Sequence, residues 1–195
     1  MLYTHNIFCK ASIFILCAVF YPAHAQEFFP ENAFTSSRMA KWYSKHLIGL
    51  EERPIVNEDR AYRYTLFRSF RKPVAIRVMV LNNGEGLLHL KMSDASSGYF
   101  FNLSKVLMNE KVELDSDQVR LLENKFSECR FWDTPTDQPP KQILDGARWV
   151  IEGSRSKKYH VIHRSFPGPG CISELSKLFV TMSEFEIKEK GLFKK

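Results

Sequence analysis

Residues 61–93 are AYRYTLFRSFRKPVAIRVMVLNNGEGLLHLKMS, and the alternation within them decides the fold class. In the first run, Tyr62, Tyr64 and Leu66 alternate with Arg63, Thr65 and Phe67. After Pro73 a second run sets Val74, Ile76, Val78 and Val80 against Ala75, Arg77 and Met79. Asn82-Asn83-Gly84-Glu85-Gly86 is a turn signal, because Asn and Gly tolerate the left-handed backbone that tight hairpins require. A third run then places Leu88, Leu90 and Met92 opposite His89 and Lys91. Side chains of an extended chain point to alternate faces, so a period of two marks strands with one face on a core. Three such runs with short polar connections predict a β-meander.

Outward from the meander, Asp94 to Gly98 turns the chain and Val106 to Leu114 predicts a further strand. Asp115 and Ser116 offer a helix cap, and Val119, Leu122, Phe126 and Cys129 recur at helical spacing behind it. Phe131-Trp132 leads into a Pro-rich loop over 133–141. A hairpin follows, Ala147 to Gly153 and Lys158 to Phe166, joined through Ser154-Arg155-Ser156-Lys157. Pro167-Gly168-Pro169-Gly170 breaks the chain ahead of a last helix from Ile172 to Glu184. Upstream, Ser36 or Ser37 caps a helix running to Ile48, and Glu51 to Arg60 is a polar connection broken by Pro54. Strand runs interspersed with amphipathic helices predict an α+β fold. Its antiparallel sheet has five or six strands, a meander plus a hairpin, with two or three amphipathic helices packed on one face.

Residues 1–25 have the order of a cleavable secretory signal. Lys10 is their one cation, Ala11 to Phe20 is apolar, and Tyr21-Pro22 precedes Ala23-His24-Ala25. The apolar run falls short of the roughly 20 residues a spanning helix needs. Leu16 is too bulky to stand before a lipidated Cys17. No later segment approaches membrane-spanning length. Residues 26–195 are then one α+β domain, exported to the periplasm or the cell exterior. A chain of this size buries roughly 70% of its unfolded surface, and 16 Phe, 7 Tyr and 3 Trp supply the core.

Export also frames the cysteines. Cys9 and Cys17 leave with the signal, and Cys129 and Cys171 remain. An oxidising compartment allows these two to pair. A bridge would close a loop of about 40 residues, for which chain entropy assigns roughly 4 kcal/mol. Two separate buried thiols are the alternative. Sequence separation does not choose between them, since bridging depends on how near the Cα atoms come.

Loss of Lys10 leaves 27 basic against 22 acidic residues, a mild excess mixed along the chain. Arg60, Arg63, Arg68, Arg71, Lys72 and Arg77 form one cluster, and Arg155, Lys157 and Lys158 another. Nucleic-acid binding would call for a groove-reading helix or stacking positions beside them. Basic residues alternating with Tyr62, Tyr64 and Phe67 instead describe a solvated, half-exposed strand, which argues against nucleic acid. An anionic ligand, acidic polysaccharide or a protein partner suits this charge better.

The second hairpin carries a recognisable pattern. Asp145-Gly146-Ala147-Arg148-Trp149 runs to Glu152-Gly153, and Tyr159-His160 is followed by Arg164 and Pro167. This DG-x-x-W-x-x-EG … YH-x-x-x-R-x-x-P arrangement resembles a family of small exported bacterial proteins. Tyr62-Arg63 through Phe67-Arg68-Ser69-Phe70, and Phe131-Trp132, are similar to further parts of that family, in order from Trp42 to Met182. The resemblance implies export and a single domain; it implies no catalytic residue.

Reactive side chains gather on the hairpin as Asp145, Glu152, His160, His163 and Arg164. Alternation puts His160 and Arg164 on one face and His163 on the other. Glu152 falls on the His163 side in one strand register and joins His160 and Arg164 in the register one residue away. Two functions follow. The first is a non-catalytic binding or interaction module whose sheet presents Arg68, Arg77, Lys91 and Arg164 to an anionic ligand or protein, with Glu152 and His160 beside them. The second is a small periplasmic hydrolase using Glu152 and His160 as an acid–base pair. His160 and His163 point to opposite faces, so no metal site is expected, and Gly84-Glu85-Gly86 is too short for a dinucleotide loop, so no cofactor is expected.

Overall fold

The alternation over 61–93 becomes three adjacent strands in the computed structural model, which describes residues 28–68, 71–94, 104–138, 147–165 and 168–185. The export signal, Asp145-Gly146, Ser69-Phe70 and Pro167 lie outside the described residues. The elements are α1 (Ser37–Gly49), β1 (Arg60–Arg68), β2 (Val74–Val80), β3 (Gly86–Ser93), β4 (Val106–Leu114), α2 (Ser116–Glu128), β5 (Ala147–Arg155), β6 (Lys158–Ser165) and α3 (Cys171–Met182). The strands form one six-stranded sheet in the order β4-β3-β2-β1-β5-β6, with every neighbouring pair antiparallel. Meander and hairpin thus meet at β1, whose Tyr64 stands between Ile76 of β2 and Ile151 of β5. This is an α+β architecture.

One face carries the larger core. Tyr62, Tyr64, Leu66, Ile76, Val78, Leu88 and Leu90 from the meander join Trp149, Ile151 and Ile162 from the hairpin. α2 covers them with Val119, Leu122 and Phe126, and α3 with Leu175 and Phe179. Full burial of each large apolar side chain contributes roughly 1.5–3 kcal/mol. α2 is fixed at its start by a capping box in which Asp115 accepts from the Gln118 amide and the Gln118 side chain accepts from the Asp115 amide. Gly153 lets the 3-10 turn Phe131–Asp133 sit directly on β5; a Cβ there would come within 3.0 Å of Phe131 and 3.2 Å of Trp132. Cys129 at the end of α2 and Cys171 at the start of α3 stand at disulfide-bonding distance, with Cα atoms 5.4 Å apart.

α1 packs across the sheet from α2 and α3. Its Tyr43 and Leu47 join Phe28, Phe29 and Phe34 over Phe67, Val150 and Val161. These aromatics cover only the hairpin end of that face. The connection from α1 to β1 lies against β1, β2, β3 and β5 on the same face, with Ile55 fully buried and Ser154 donating to the Glu58 carbonyl at 2.6 Å, while Asn109, Lys111 and Glu113 of β4 stay exposed. The residues on either side of β5–β6 are joined more tightly than sequence suggests. Only Ser156 and Lys157 form the loop, both with positive φ (49° and 65°), as a two-residue turn with primed geometry requires. Arg155 therefore pairs with Lys158, and Glu152 with Val161.

Candidate functional site

The strand register assembles a row of charged residues on the α1 face. Glu152 on β5 stands opposite Arg63 on β1, Arg63 opposite Arg77 on β2, Arg77 opposite His89 on β3, and His89 opposite Lys111 on β4. Lys91 shares the face, two residues beyond His89. These are the positions that alternate with the apolar core residues of the same strands. Three cations of this group, Arg63, Arg77 and Lys91, are buried, which corrects the picture of a solvated basic strand. The reason lies outside the strands: the connection after α1 lowers Glu52 onto them.

Arg63 and Glu152 form the centre. Arg63 Nε donates to Glu152 Oε2 at 2.6 Å and Nη2 to Oε1 at 2.7 Å, with both side chains fully shielded. Such a two-pronged pair is the strongest geometry available to these groups. Tyr159 adds a third donor, its hydroxyl 2.8 Å from Glu152 Oε1. Arg63 Nη1 reaches the Arg53 carbonyl at 2.8 Å and Glu52 at 3.4 Å. Glu52 also pairs with Arg77 Nε at 3.0 Å and Lys91 Nζ at 3.5 Å, and Lys91 donates to the Glu51 carbonyl at 2.6 Å. Burial works against the Arg63 charge, but Glu152 and Glu52 outweigh it and hold the guanidinium above its ordinary range. Burial lowers Arg77, with Glu52 opposing, and burial together with Glu152 pushes the Tyr159 phenol well up. Both Glu152 oxygens are thus committed to internal donors, and the arrangement fixes the sheet.

His160 and Arg164 lie on the opposite face, with Trp149 and Ile162. His160 Nε2 donates to the Thr134 carbonyl at 2.8 Å. Arg164 donates to the carbonyls of Pro135, Thr136 and His163 at 2.9, 2.8 and 2.7 Å. Together they strap segment 134–136 against β6, where His163 N also bonds to Thr136 O at 2.8 Å. Burial lowers the pKa of His160 and of Arg164.

Two sequence expectations are corrected here. Glu152 and His160 do not form an acid–base pair, because the register places them on opposite faces of the sheet. A shallow cleft of about 250 Å³ has Tyr159 and His160 in its lining, and Glu152 is absent from it. Nor do Arg68, Arg77, Lys91 and Arg164 share one basic face. Arg77 and Lys91 sit under Glu52, whereas Arg68, opposite Ala147, and Arg164, opposite Trp149, are on the α2–α3 side.

Sequence reading missed Glu52, Arg53, Tyr159 and Met79 as members of this region. The available signal was the pairing of Glu51-Glu52 with a neighbouring strand whose out-of-core positions are basic. His163 was legible only as the odd partner of His160; it faces Asp137 at 3.6 Å, and Asp137 accepts from Thr35 N and Oγ1 at 3.0 and 2.7 Å. Among the described residues no three His, Cys, Asp or Glu side chains converge as a metal centre would need, and no helix is long and apolar enough to cross a membrane. Set beside known proteins, the chain matches no family model, and no curated protein is significantly similar to it.

Proposed function

We propose that the protein is exported, to the periplasm or the cell exterior, and acts there as a non-catalytic binding or interaction module. The charge order and Ala23-His24-Ala25 of residues 1–25 support export, as does the hairpin's resemblance to small exported bacterial proteins. The observation that carries the non-catalytic reading is the state of Glu152. Its two oxygens accept from Arg63 and Tyr159, on the face away from His160. A carboxylate held this way is a structural counter-charge and no longer free to exchange protons with a substrate.

Expression of the full chain with a C-terminal tag, followed by fractionation, tests this function. The mature protein is expected outside the cytoplasm with Gln26 at its N-terminus. Uncleaved protein confined to the cytoplasm contradicts the location. Chromogenic ester, phosphate and glycoside substrates are expected to show no turnover that His160→Ala removes. Turnover lost in that variant restores the hydrolase.

A further inference from the structure

The outer end of the charged row supplies positive charge and donors to acceptors that suit them poorly. Arg77 Nε stands 3.0 Å from Glu52 as an ion pair, but Nη1 donates to the Met79 sulfur at 3.0 Å and Nη2 to His89 Nδ1 at 3.2 Å. Arg53 Nη2 donates to the same sulfur at 2.9 Å. A thioether is neutral and a weak acceptor. Two guanidinium groups therefore converge on an uncharged atom, no farther apart than the two contacts laid end to end. The ion pair of Arg53 with Glu58 is long, 3.9 Å, and open to solvent, so it does little to neutralise the convergence.

His89 points the same way. Its Nδ1 accepts from Arg77, which leaves the ring proton on Nε2, and that buried Nε2–H meets no acceptor among the described residues. Burial, with Arg77 and Lys111 beside it, keeps this imidazole from gaining a proton. Lys111, directly across on β4, is exposed. Arg53 and Arg77 thus meet at the Met79 sulfur with His89 bonded to Arg77 and Lys111 across from His89 on β4, and Glu52, on the inner side of Arg77, is the carboxylate that these cations outnumber.

We propose that Arg53, Arg77, His89 and Lys111 bind a tetrahedral oxyanion, a phosphate or sulfate group either free or borne on a lipid headgroup, which replaces the Met79 sulfur as acceptor. Donors arriving from separate elements suit the several oxygens of such a group better than a planar carboxylate, which one guanidinium fork can satisfy. The site deepens the binding-module reading and rests on it.

Inorganic pyrophosphate titrated into the protein purified from the compartment where it accumulates, in chloride buffer and followed by histidine ring NMR signals, tests the site. The His89 signal is expected to shift saturably while that of His160, on the far face, stays still. Arg53→Gln and Lys111→Gln should each raise the dissociation constant about tenfold, with unchanged unfolding midpoints because both side chains are exposed. Vesicles of phosphatidylglycerol and phosphatidylcholine distinguish the sources. Arg53-dependent association that pyrophosphate competes away assigns a lipid headgroup, and pyrophosphate binding without vesicle association assigns a soluble anion. No saturable His89 shift, or one that survives intact in Arg53→Gln, overturns the site. The titration is independent of export: binding by a cytoplasmic protein overturns only the location, and an exported protein that does not bind overturns only the site.

Discussion

Glu152→Ala is expected to lower the unfolding free energy by about 3–5 kcal/mol, the usual cost of leaving one member of a buried ion pair without its partner. Arg63 would lose both of its shortest contacts, at 2.6 and 2.7 Å, inside a site from which water is excluded. Among the described residues Glu52, at 3.4 Å, the Arg53 carbonyl, at 2.8 Å, and the face of the Phe28 ring would remain to it. Such a loss is a large share of the 5–15 kcal/mol that holds a typical domain together. Replacing the pair outright with Arg63→Met/Glu152→Leu should recover most of the stability, since well-packed apolar residues often substitute for buried charge without penalty. Urea unfolding of the three proteins checks this. A single-variant loss below about 1 kcal/mol would place the pair in solvent and remove the network from the account.

The second large effect concerns the link between α2 and α3. Reduction, or Cys129→Ala, is expected to cost roughly 4 kcal/mol, because a bridge across 42 residues of sequence removes much of the freedom of the unfolded chain. Both helices pack on the same face through Val119, Leu122, Phe126, Leu175 and Phe179, so the native contacts survive and the change acts mainly on the unfolded state. Paired denaturation curves with and without reductant give the value. Identical midpoints would mean that the two sulfurs are not joined in the protein as the cell delivers it.

The fold was legible where local pattern and tertiary environment agree. Tyr62, Tyr64 and Leu66, then Val74, Ile76 and Val78, keep the period that the sheet demands, and the core lies on the side they predict. Asp115 with Gln118 opens α2 where its cap residues stand. The charged face was not legible, because nothing within β1 or β2 says what lies above Arg63 and Arg77. An alternating arginine has the same local pattern on a wet face as under a lid. Burial is decided by Glu52 and Ile55, residues of a connection whose composition marks it only as polar. The hairpin register escaped for a local reason. Ser156-Lys157 adopts positive φ without the Asn-Gly signature that marks such turns, so a shorter loop than the polar run suggested settles where Glu152 points. Residue chemistry therefore named Arg63, Arg77, Lys91 and Glu152, while their partnership depended on sheet order and on a segment more than ten residues from any of the strands beyond β1.

Beneath the α1–β1 connection Arg63, Arg77, Lys91, Glu152 and Glu52 are sealed against one another. Hydrogen exchange at the arginine Nε–H groups, followed by 15N-resolved NMR, tests this most directly. Arg63 Nε–H, bonded to Glu152 and shielded from water, should exchange on the order of a thousandfold more slowly than that of exposed Arg53. Exchange of Arg63 at the rate of Arg53 would show the network open to solvent, with Arg63 and Glu152 hydrated rather than sealed.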